Sequence, residues 1–437
     1  MHEPTPGTQR IELLDVTRGV AVLGILLMNV IGFGLPNAYD DPTNWGGAEG
    51  ANLVVWRMMS VSVEGTMRGL FSLLFGAGML LFLDGPAGTG REARPTRLYT
   101  RRVLWLLLFG LLNAYVLLWD GDILFAYGVT GLLLLAFRRL PAPWLMACAF
   151  AALALQTTIS TFTWLDYREL QRSAQVAHVL QAAGRPPPAE LRAAADQYAA
   201  TNEQYKPSRA AQEEIIAFMR GSYASAANVV RDRARYTQTT AFLRHGLLDF
   251  LGMMLLGMAL LRLGIITGRA PTHVYAALLI AGYGIGLSVN LLETRAIESS
   301  GFAVHSIVRS YLTYDLGRVA MTLGHLALIA LLHRAPTVKA MRPLAAVGRL
   351  ALTNYLAQSL IGLFVFTGAG LALFGQLERH QLYYVVLAVW MAQLLWSSAW
   401  LRSFRFGPAE WLWRSLTYWR LQPMKTTGWT LSKYWNQ

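Results

Sequence analysis

Apolar residues run along this chain in blocks of about 17–25, separated by short polar connections, and that is the length that crosses a bilayer core as helix. Ten blocks fall at about 16–36, 63–84, 103–119, 122–138, 143–165, 246–265, 273–293, 316–333, 347–373 and 382–401. The pattern predicts an all-α fold: a polytopic membrane helical bundle of about ten transmembrane helices. Five spans make an N-terminal half, 1–165, and five a C-terminal half, 246–401. Between them, 166–245 is rich in Ala, Gln, Arg and Glu and broken by Pro186, Pro187 and Pro188, so it is expected to form polar helices outside the membrane. In the tail, 402–437, the stretch GPAEWLWRSLTYWRL reads as an amphipathic helix lying in the inner interface. Pro408 suits its first turn, and Trp411, Leu412, Tyr418 and Trp419 mix with Arg414 and Arg420 as anchors.

Composition agrees with that pattern: of 437 residues, 54% are hydrophobic and only 14% charged, which excludes an average soluble protein. The net charge of +13 invites a nucleic-acid partner. Its basic residues, however, cluster in alternate connections: Arg91, Arg94, Arg97, Arg101 and Arg102; Arg138 and Arg139; Arg262 and Arg269; Arg334, Lys339 and Arg342; then the tail. Ten spans put all of these on one side with the N-terminus, so no nucleic acid is expected and both termini are expected to be cytoplasmic. Residues 1–14 hold Pro4, Pro6, Glu3 and Glu12 and no convincing cleavage site follows, so the first span is expected to stay. Cys148 is the only cysteine, which excludes an intrachain disulfide and a cysteine-rich metal cluster.

Polar groups inside the apolar blocks are the candidates for chemistry, because such groups are costly in lipid and usually face the protein interior or water. Asp15, Arg18 and Asn29 share one stripe of the first span, the latter two roughly 16 Å apart along its axis. They read equally as a site wall or, for Asp15 and Arg18, as a surface anchor. Glu64 and Arg68, one turn apart, open the second span as a pair that neutralises itself. Gly76 and Gly78 favour helix packing. Asp120 suits a turn. Asp122, followed by apolar residues up to Tyr127, reads either as a helix cap or as a desolvated general base. Arg318, Thr322 and His325 put a polar face in mid-span, where histidine serves packing or catalysis. Asn354, Tyr355 and Gln358 either glue helices together or bind a polar substrate. The histidines show no metal spacing, and no metal is expected.

LDVTRGVAVLGILLMN, FSLLFGAG, WDGDILFAYGVTGLL, GRLALTNYLAQS and GPAEWLWRSLTYWR stand in the order in which they occur in the YeiB-like bacterial membrane proteins, and the chain resembles that family over nearly its whole length except 166–245. The family is similar to the transmembrane acyltransferase superfamily. The resemblance implies a ten-helix core in a bacterial inner membrane. It also implies acyl-CoA or acetyl-CoA as cytosolic donor, and a hydroxyl or amine of an external sugar or lipid as acceptor. In that superfamily the position of Asn29 is a histidine or asparagine, and the glucosaminide-type enzymes use a separate histidine slightly downstream. Here no histidine occurs between His2 and His178.

On this reading Asp122 is the expected base with His325 as alternative. Asn29 orients the acyl carbonyl, and arginines of 91–102 hold the donor's phosphates. The remaining residues expected to contact substrate are Asp15, Arg18, Glu64, Arg68, Asp120, Tyr127, Arg318, Asn354, Tyr355 and Gln358. Membrane lipids are expected partners, and pairing as a homodimer stays open. Two other readings stand beside this one: a transporter or permeation pathway for a small solute, for which internal repeats are not found, and an inactive lipid-binding scaffold.

Overall fold

The computed structural model describes residues 12–84 and 95–426, and these are helical with no named strand among them. Arg91, Arg94 and Lys433 lie outside the described residues. A helix stands at each of the ten expected places. In order these are α1 (Glu12–Gly34), α2 (Gly50–Ser62), α3 (Thr66–Leu83), α4 (Pro95–Tyr115) and α5 (Leu124–Leu133), the last extended by the tight turn Leu134–Ala136. Next come α6 (Ala142–Ala182), α7 (Ala189–Tyr205), α8 (Arg209–Arg220), α9 (Tyr223–Tyr236), a wide π-type stretch Thr237–Gly246, α10 (Leu247–Arg262), α11 (Thr272–Ser299) and α12 (Val304–Ser310). The chain closes with α13 (Tyr314–His333), α14 (Arg342–Arg349), α15 (Ala351–Phe366), α16 (Arg379–Ser403) and α17 (Pro408–Tyr418).

Length and apolarity qualify seven of these stretches to cross a membrane, and an eighth if Val338–Arg349 and Ala351–Phe366, bent by 74°, count as one broken span. That is short of ten for two local reasons. Arg97, Arg101 and Arg102 dilute α4, and the apolar helix 124–136 is shorter than a bilayer core requires. Three spans are much longer than expected. α2 and α3 run on as Gly50–Leu83, α9 and α10 as Tyr223–Arg262, and α6 continues for 41 residues, carrying its end beyond the apolar part.

Close backbone packing sets the bundle. A Cβ on Gly19 would sit 2.0 Å from the Leu344 carbonyl oxygen, and one on Gly348 would sit 1.9 Å from that of Asp15, so α1 and α14 touch backbone to backbone. Gly76 against Met254 and Gly257 against Leu73 do the same for α3 and α10. Small residues let helices approach this way in lipid, where no hydrophobic force drives them together. Gly78, expected to pack like Gly76, instead faces open space.

α1 is the central post. Its carbonyls at Val22, Leu23 and Leu27 accept from Gln358 Nε2 (3.2 Å), Trp390 Nε1 (3.0 Å) and Tyr383 Oη (3.0 Å) of α15 and α16. Around the knee between α2 and α3, Gly65 adopts φ +67°, and a side chain there would strike Tyr314 and Arg318 of α13. His325 Nε2 donates to the Ser62 carbonyl (2.9 Å), and its Nδ1 accepts from Tyr283 Oη (2.9 Å), which ties α11 and α13 to the same knee.

Each end of the bundle is closed differently. At one, hereafter the capped end, the loop 35–49, α7–α9, α12 and the loop 367–378 lock together. Asn44 Nδ2 donates to Asn37 and Tyr205 carbonyls (2.8 and 2.7 Å), and Lys206 pairs with Asp41 (3.1 Å). Arg233 donates to Asn37 Oδ1 (3.0 Å), and buried Arg379 donates to the Ala38 carbonyl. The insertion therefore forms part of a cap, with Tyr167, Val304 and Val308 as a small core beside Trp164, Tyr198 and Tyr205.

At the other, basic end, α17 docks. Glu410 accepts from the Leu352 and Thr353 amides (2.7 and 3.0 Å) and from Thr353 Oγ1 (2.5 Å), capping α15 after the bend. Trp413 Nε1 donates to the Arg102 carbonyl (2.8 Å). The tail helix is thus fastened to the bundle by a specific carboxylate as well as by its aromatic face.

Candidate functional site

Along α3 and the residues just before it, Glu64, Arg68, Phe71, Phe75, Gly78 and Phe82 are partly exposed, while Gly69, Leu70, Leu73, Gly76, Ala77 and Leu80 are buried. The spacing of three to four residues makes the partly exposed set one helical stripe. This stripe does not look outward. Phe71 packs against α1 and the α14–α15 bend, Phe71 and Phe75 meet the ring of Tyr127 on α5 (5.7 and 5.0 Å), and Arg68 lies over Phe250 on α10 (5.1 Å). Partly exposed surface inside a ring of helices outlines a candidate passage along α3.

At the capped mouth stand Tyr39, Asp40, Glu64, Arg68, Tyr311 and Tyr314. Tyr39 is 40% exposed, although Glu64, Arg68, Asp40 and Tyr314 all act on its charge. These side chains gather into a polar vestibule under the cap. Asp40 and Glu293 lie within electrostatic reach of Glu64, and Tyr205 lies within reach of Asp40.

Burial pushes the Asp40 carboxyl up to about 6, with the adjacent Asp41 charge adding to this and the Tyr311 hydrogen bond and Arg379 opposing it. In turn the Asp40 charge and burial raise the Tyr311 phenol. The two aspartates of the loop differ in duty. Asp41 is buried and committed: Oδ1 accepts from the Thr43 amide (2.8 Å) and hydroxyl (2.6 Å), and Oδ2 meets Lys206.

Behind the mouth is a buried ion cluster. Arg318 on α13 pairs with Asp249 on α10 and with Asp315 at 2.8 Å, while Arg68 meets the second Asp249 oxygen at 3.1 Å. Thr157 adds a hydrogen bond to Asp315 (3.2 Å). Two guanidiniums and two carboxylates leave the cluster neutral, as burial requires. Midway along the stripe Phe71 and Phe75 form an aromatic waist, backed by buried Tyr127, whose Oη is bonded to Ser72 (2.8 Å) and the Arg68 carbonyl (3.3 Å). At the basic mouth, Arg102 lies over Phe82 (5.4 Å) and Trp413 (3.6 Å), with Arg18 and Arg414 in electrostatic reach.

The expected residues divide between passage and scaffold. Arg18, Glu64 and Arg68 lie along the candidate passage or its mouths, Asp15 holds Arg18 at 3.1 Å, and Tyr127 is fully buried behind Phe71 and Phe75. Glu64 and Arg68 do not form the expected pair, because the knee at Gly65 turns Arg68 to Asp249 and leaves Glu64 facing Asp40 and Glu293. Asn29 is partly exposed and makes no side-chain hydrogen bond among the described residues.

Asp122 caps α5. Its oxygens accept from Asn113 Nδ2 (2.8 Å), the Phe125 amide (2.9 Å) and, at 3.5 Å, Tyr355 Oη, whose oxygen also takes the Ile123 amide (3.2 Å). Asp120 lies near Arg233 under the cap. Arg318 belongs to the ion cluster, and both His325 nitrogens are engaged at the knee. Asn354 and Gln358 bond Ser397 (3.0 Å) and Gln393 (3.0 Å) on α16, and Trp396 Nε1 donates to Asn354 Oδ1 (2.8 Å), so these amides join helices.

Sequence reasoning passed over Asp40, Asp249, Asp315, Tyr311 and Tyr314. Asp249 had a signal, a lone acid in the first turn of LLDFLGMMLLGMALLR, and Asp315 another, one turn before Arg318. Asp40 had none beyond its place in a turn-rich loop. Among the described residues, no group of three or more His, Cys, Asp or Glu is placed to hold a metal ion.

Comparison with known proteins places these features in a lineage. A family model described as "Protein of unknown function (DUF418)" matches residues 260–420, from the end of α10 through α17. The chain is 31% identical to the uncharacterized protein YeiB of Escherichia coli over 92% of this chain and 95% of the relative. It is 28% identical to the uncharacterized protein YxaH of Bacillus subtilis, over 97% of this chain and 98% of that one.

Proposed function

Because this chain belongs to the YeiB-like family, we propose that it is a membrane acyltransferase. It would move an acyl group from acyl-CoA on the cytoplasmic side to a hydroxyl or amine of a sugar or lipid on the far side. One observation supports the reading: the partly exposed stripe of α3 runs from arginines at one end to carboxylates and tyrosines at the other. The positive-inside rule assigns the basic end to the cytoplasm. Arg18, Arg102 and Arg414 there suit the phosphates of the donor. From Phe82 to Arg68 is 14 residues of helix, roughly 21 Å, which a pantetheine arm spans when extended past the aromatic waist.

The chemistry is placed in the vestibule. A carboxylate that titrates near 6 is matched to taking a proton at neutral pH, so Asp40 is the base in this reading, with Glu64 across from it to orient the acceptor. The acceptor oxygen or nitrogen attacks the thioester carbonyl carbon as its proton passes to Asp40. The C–S bond then breaks, and the leaving thiolate takes that proton back, giving acylated acceptor and free CoA. Asn29, with its amide uncommitted, and Arg68 are the donors available to the carbonyl oxygen as it gains charge. Asp122 and His325 are left to hold helices in this scheme.

The test is purified protein in sealed proteoliposomes with acetyl-CoA on one face and an amino sugar or lipid acceptor on the other. Donor-dependent release of free thiol together with acylated acceptor supports the enzyme. Accumulation of a solute across the bilayer with no thiol released would replace it with a permeation pathway.

A further inference from the structure

α4 carries its arginines on two faces. Arg102 turns into the bundle to the passage, whereas Arg97 and Arg101 continue into a different stripe. That stripe is Leu104, Leu108, Leu112 and Val116, which are 50, 41, 46 and 50% exposed. Exposed apolar residues at intervals of four on a helix of this bundle look outward, to lipid. Directly at the basic end of that stripe a cleft of about 1060 Å³ opens between Pro95, Thr96, Arg97, Thr100, Arg101, Leu104, Arg138 and Trp419.

The walls of this cleft are built rather than incidental. Arg138, in the turn after α5, donates to Thr96 Oγ1, and its carbonyl accepts from Arg262, which fixes that turn beside the start of α4. Arg101 donates to the Thr417 carbonyl (3.0 Å) and lies over the Trp419 ring (5.4 Å). Trp419 itself is 70% exposed and ends α17 in the left-handed conformation, φ +53°, which turns its ring out of the helix line. Among the described residues no carboxylate pairs with Arg97, Arg101 or Arg138. Among the described residues three cations are thus held together without a counter-charge, with an exposed tryptophan on one side and a leucine stripe on the other.

We propose that this cleft binds the phosphate headgroup of an anionic membrane lipid, whose acyl chains lie along Leu104, Leu108, Leu112 and Val116. Phosphate chemistry alone would also admit a soluble phosphate. The outward leucine stripe commits the site to lipid, because only a lipid has something to lay on it. Tryptophan belongs at headgroup depth, and basic clusters there attract anionic lipids. The site lies on the perimeter and does not depend on the chemistry assigned to the passage, which uses the opposite face of α4.

The experiment is native mass spectrometry of the full chain released from bilayers of phosphatidylcholine with a minor share of phosphatidylglycerol. Wild type is expected to retain phosphatidylglycerol in preference to phosphatidylcholine. The triple variant Arg97→Gln/Arg101→Gln/Arg138→Gln is expected to lose that preference by about tenfold or more. Because Arg101 and Arg138 also hold the tail and the turn, Arg97→Glu is tested alone. Arg97 is exposed and makes no side-chain hydrogen bond or ion pair among the described residues, and this variant is expected to weaken retention several-fold. Unchanged preference in Arg97→Glu would overturn the proposal. So would displacement of the lipid by millimolar pyrophosphate, which would make the site one for soluble phosphates.

Discussion

Arg318 and Asp249 face each other across α13 and α10 with only 2% and 5% of their side-chain surfaces exposed, and the same aspartate holds Arg68 of α3. Three helices meet on one carboxylate. A charge so placed is tolerable only while its partners stay with it, because the cost of desolvation is set against their attraction.

Removing that carboxylate strands two guanidiniums on Asp315 alone. Asp249→Asn is therefore expected to destabilise the folded bundle by about 3–5 kcal/mol, the range for breaking a buried pair from one side. Thermal unfolding in detergent checks this, and a melting temperature equal to that of wild type would mean that the cluster is not under this constraint.

Asp40→Asn should separate stability from activity. Its carboxyl is raised from 3.8 to about 6, so the folded state binds more protons than the unfolded state between those values. Stability from this group therefore declines as pH climbs through that window, and ionised Asp40 is a cost at pH 7. The variant is expected to be at least as stable as wild type at pH 7 while losing acyl transfer by about two orders of magnitude or more. Wild-type transfer should itself fall as pH drops below about 6. A pH–rate profile shared by both proteins would remove Asp40 from the chemistry.

Asp122→Asn is expected to behave in the opposite way. An asparagine keeps one oxygen for the Phe125 amide but turns an NH₂ toward groups that are already donors, Asn113 Nδ2 or Tyr355. The loss should be about 1–3 kcal/mol in stability, with transfer retained within several-fold. Near-complete loss of transfer in a stable variant would restore Asp122 as the base.

Gly348→Val tests the backbone contact between α14 and α1. A Cβ there already lies 1.9 Å from the Asp15 carbonyl oxygen, and backbone cannot move aside as a flexible side chain can. Folded protein in the membrane fraction should fall sharply, whereas Gly78→Val, with nothing within 4 Å, should leave its level unchanged.

Helix positions were legible because apolar block length is a local signal, and all ten places held a helix. Which of them could cross a membrane was less so, since α4 is diluted by arginines whose facing depends on its neighbours. Residues of the candidate site stood out where polar groups interrupt an apolar run, as at Arg18, Glu64 and Arg68. The site was illegible where the deciding partner is distant in sequence. Nothing near Asp122 announces Asn113 and Tyr355 as its ligands, and nothing near Asp40 announces a vestibule roofed by α7–α9. Spacing suggested that Glu64 and Arg68 would pair because it assumed one straight helix, and with a single left-handed glycine between them Arg68 salt-bridges Asp249 instead.

The capping of α15 by Glu410 sets an order on synthesis. The amide groups of Leu352 and Thr353 leave the ribosome 58 and 57 residues before the carboxylate that accepts from them. Until then the helix after the 74° bend begins with bare donors, and the basic mouth lacks Trp413 and Arg414. The passage can therefore be completed only after its last membrane helix is already made. A nascent chain thus stays open on its basic side for at least the 57 residues that separate Thr353 from Glu410.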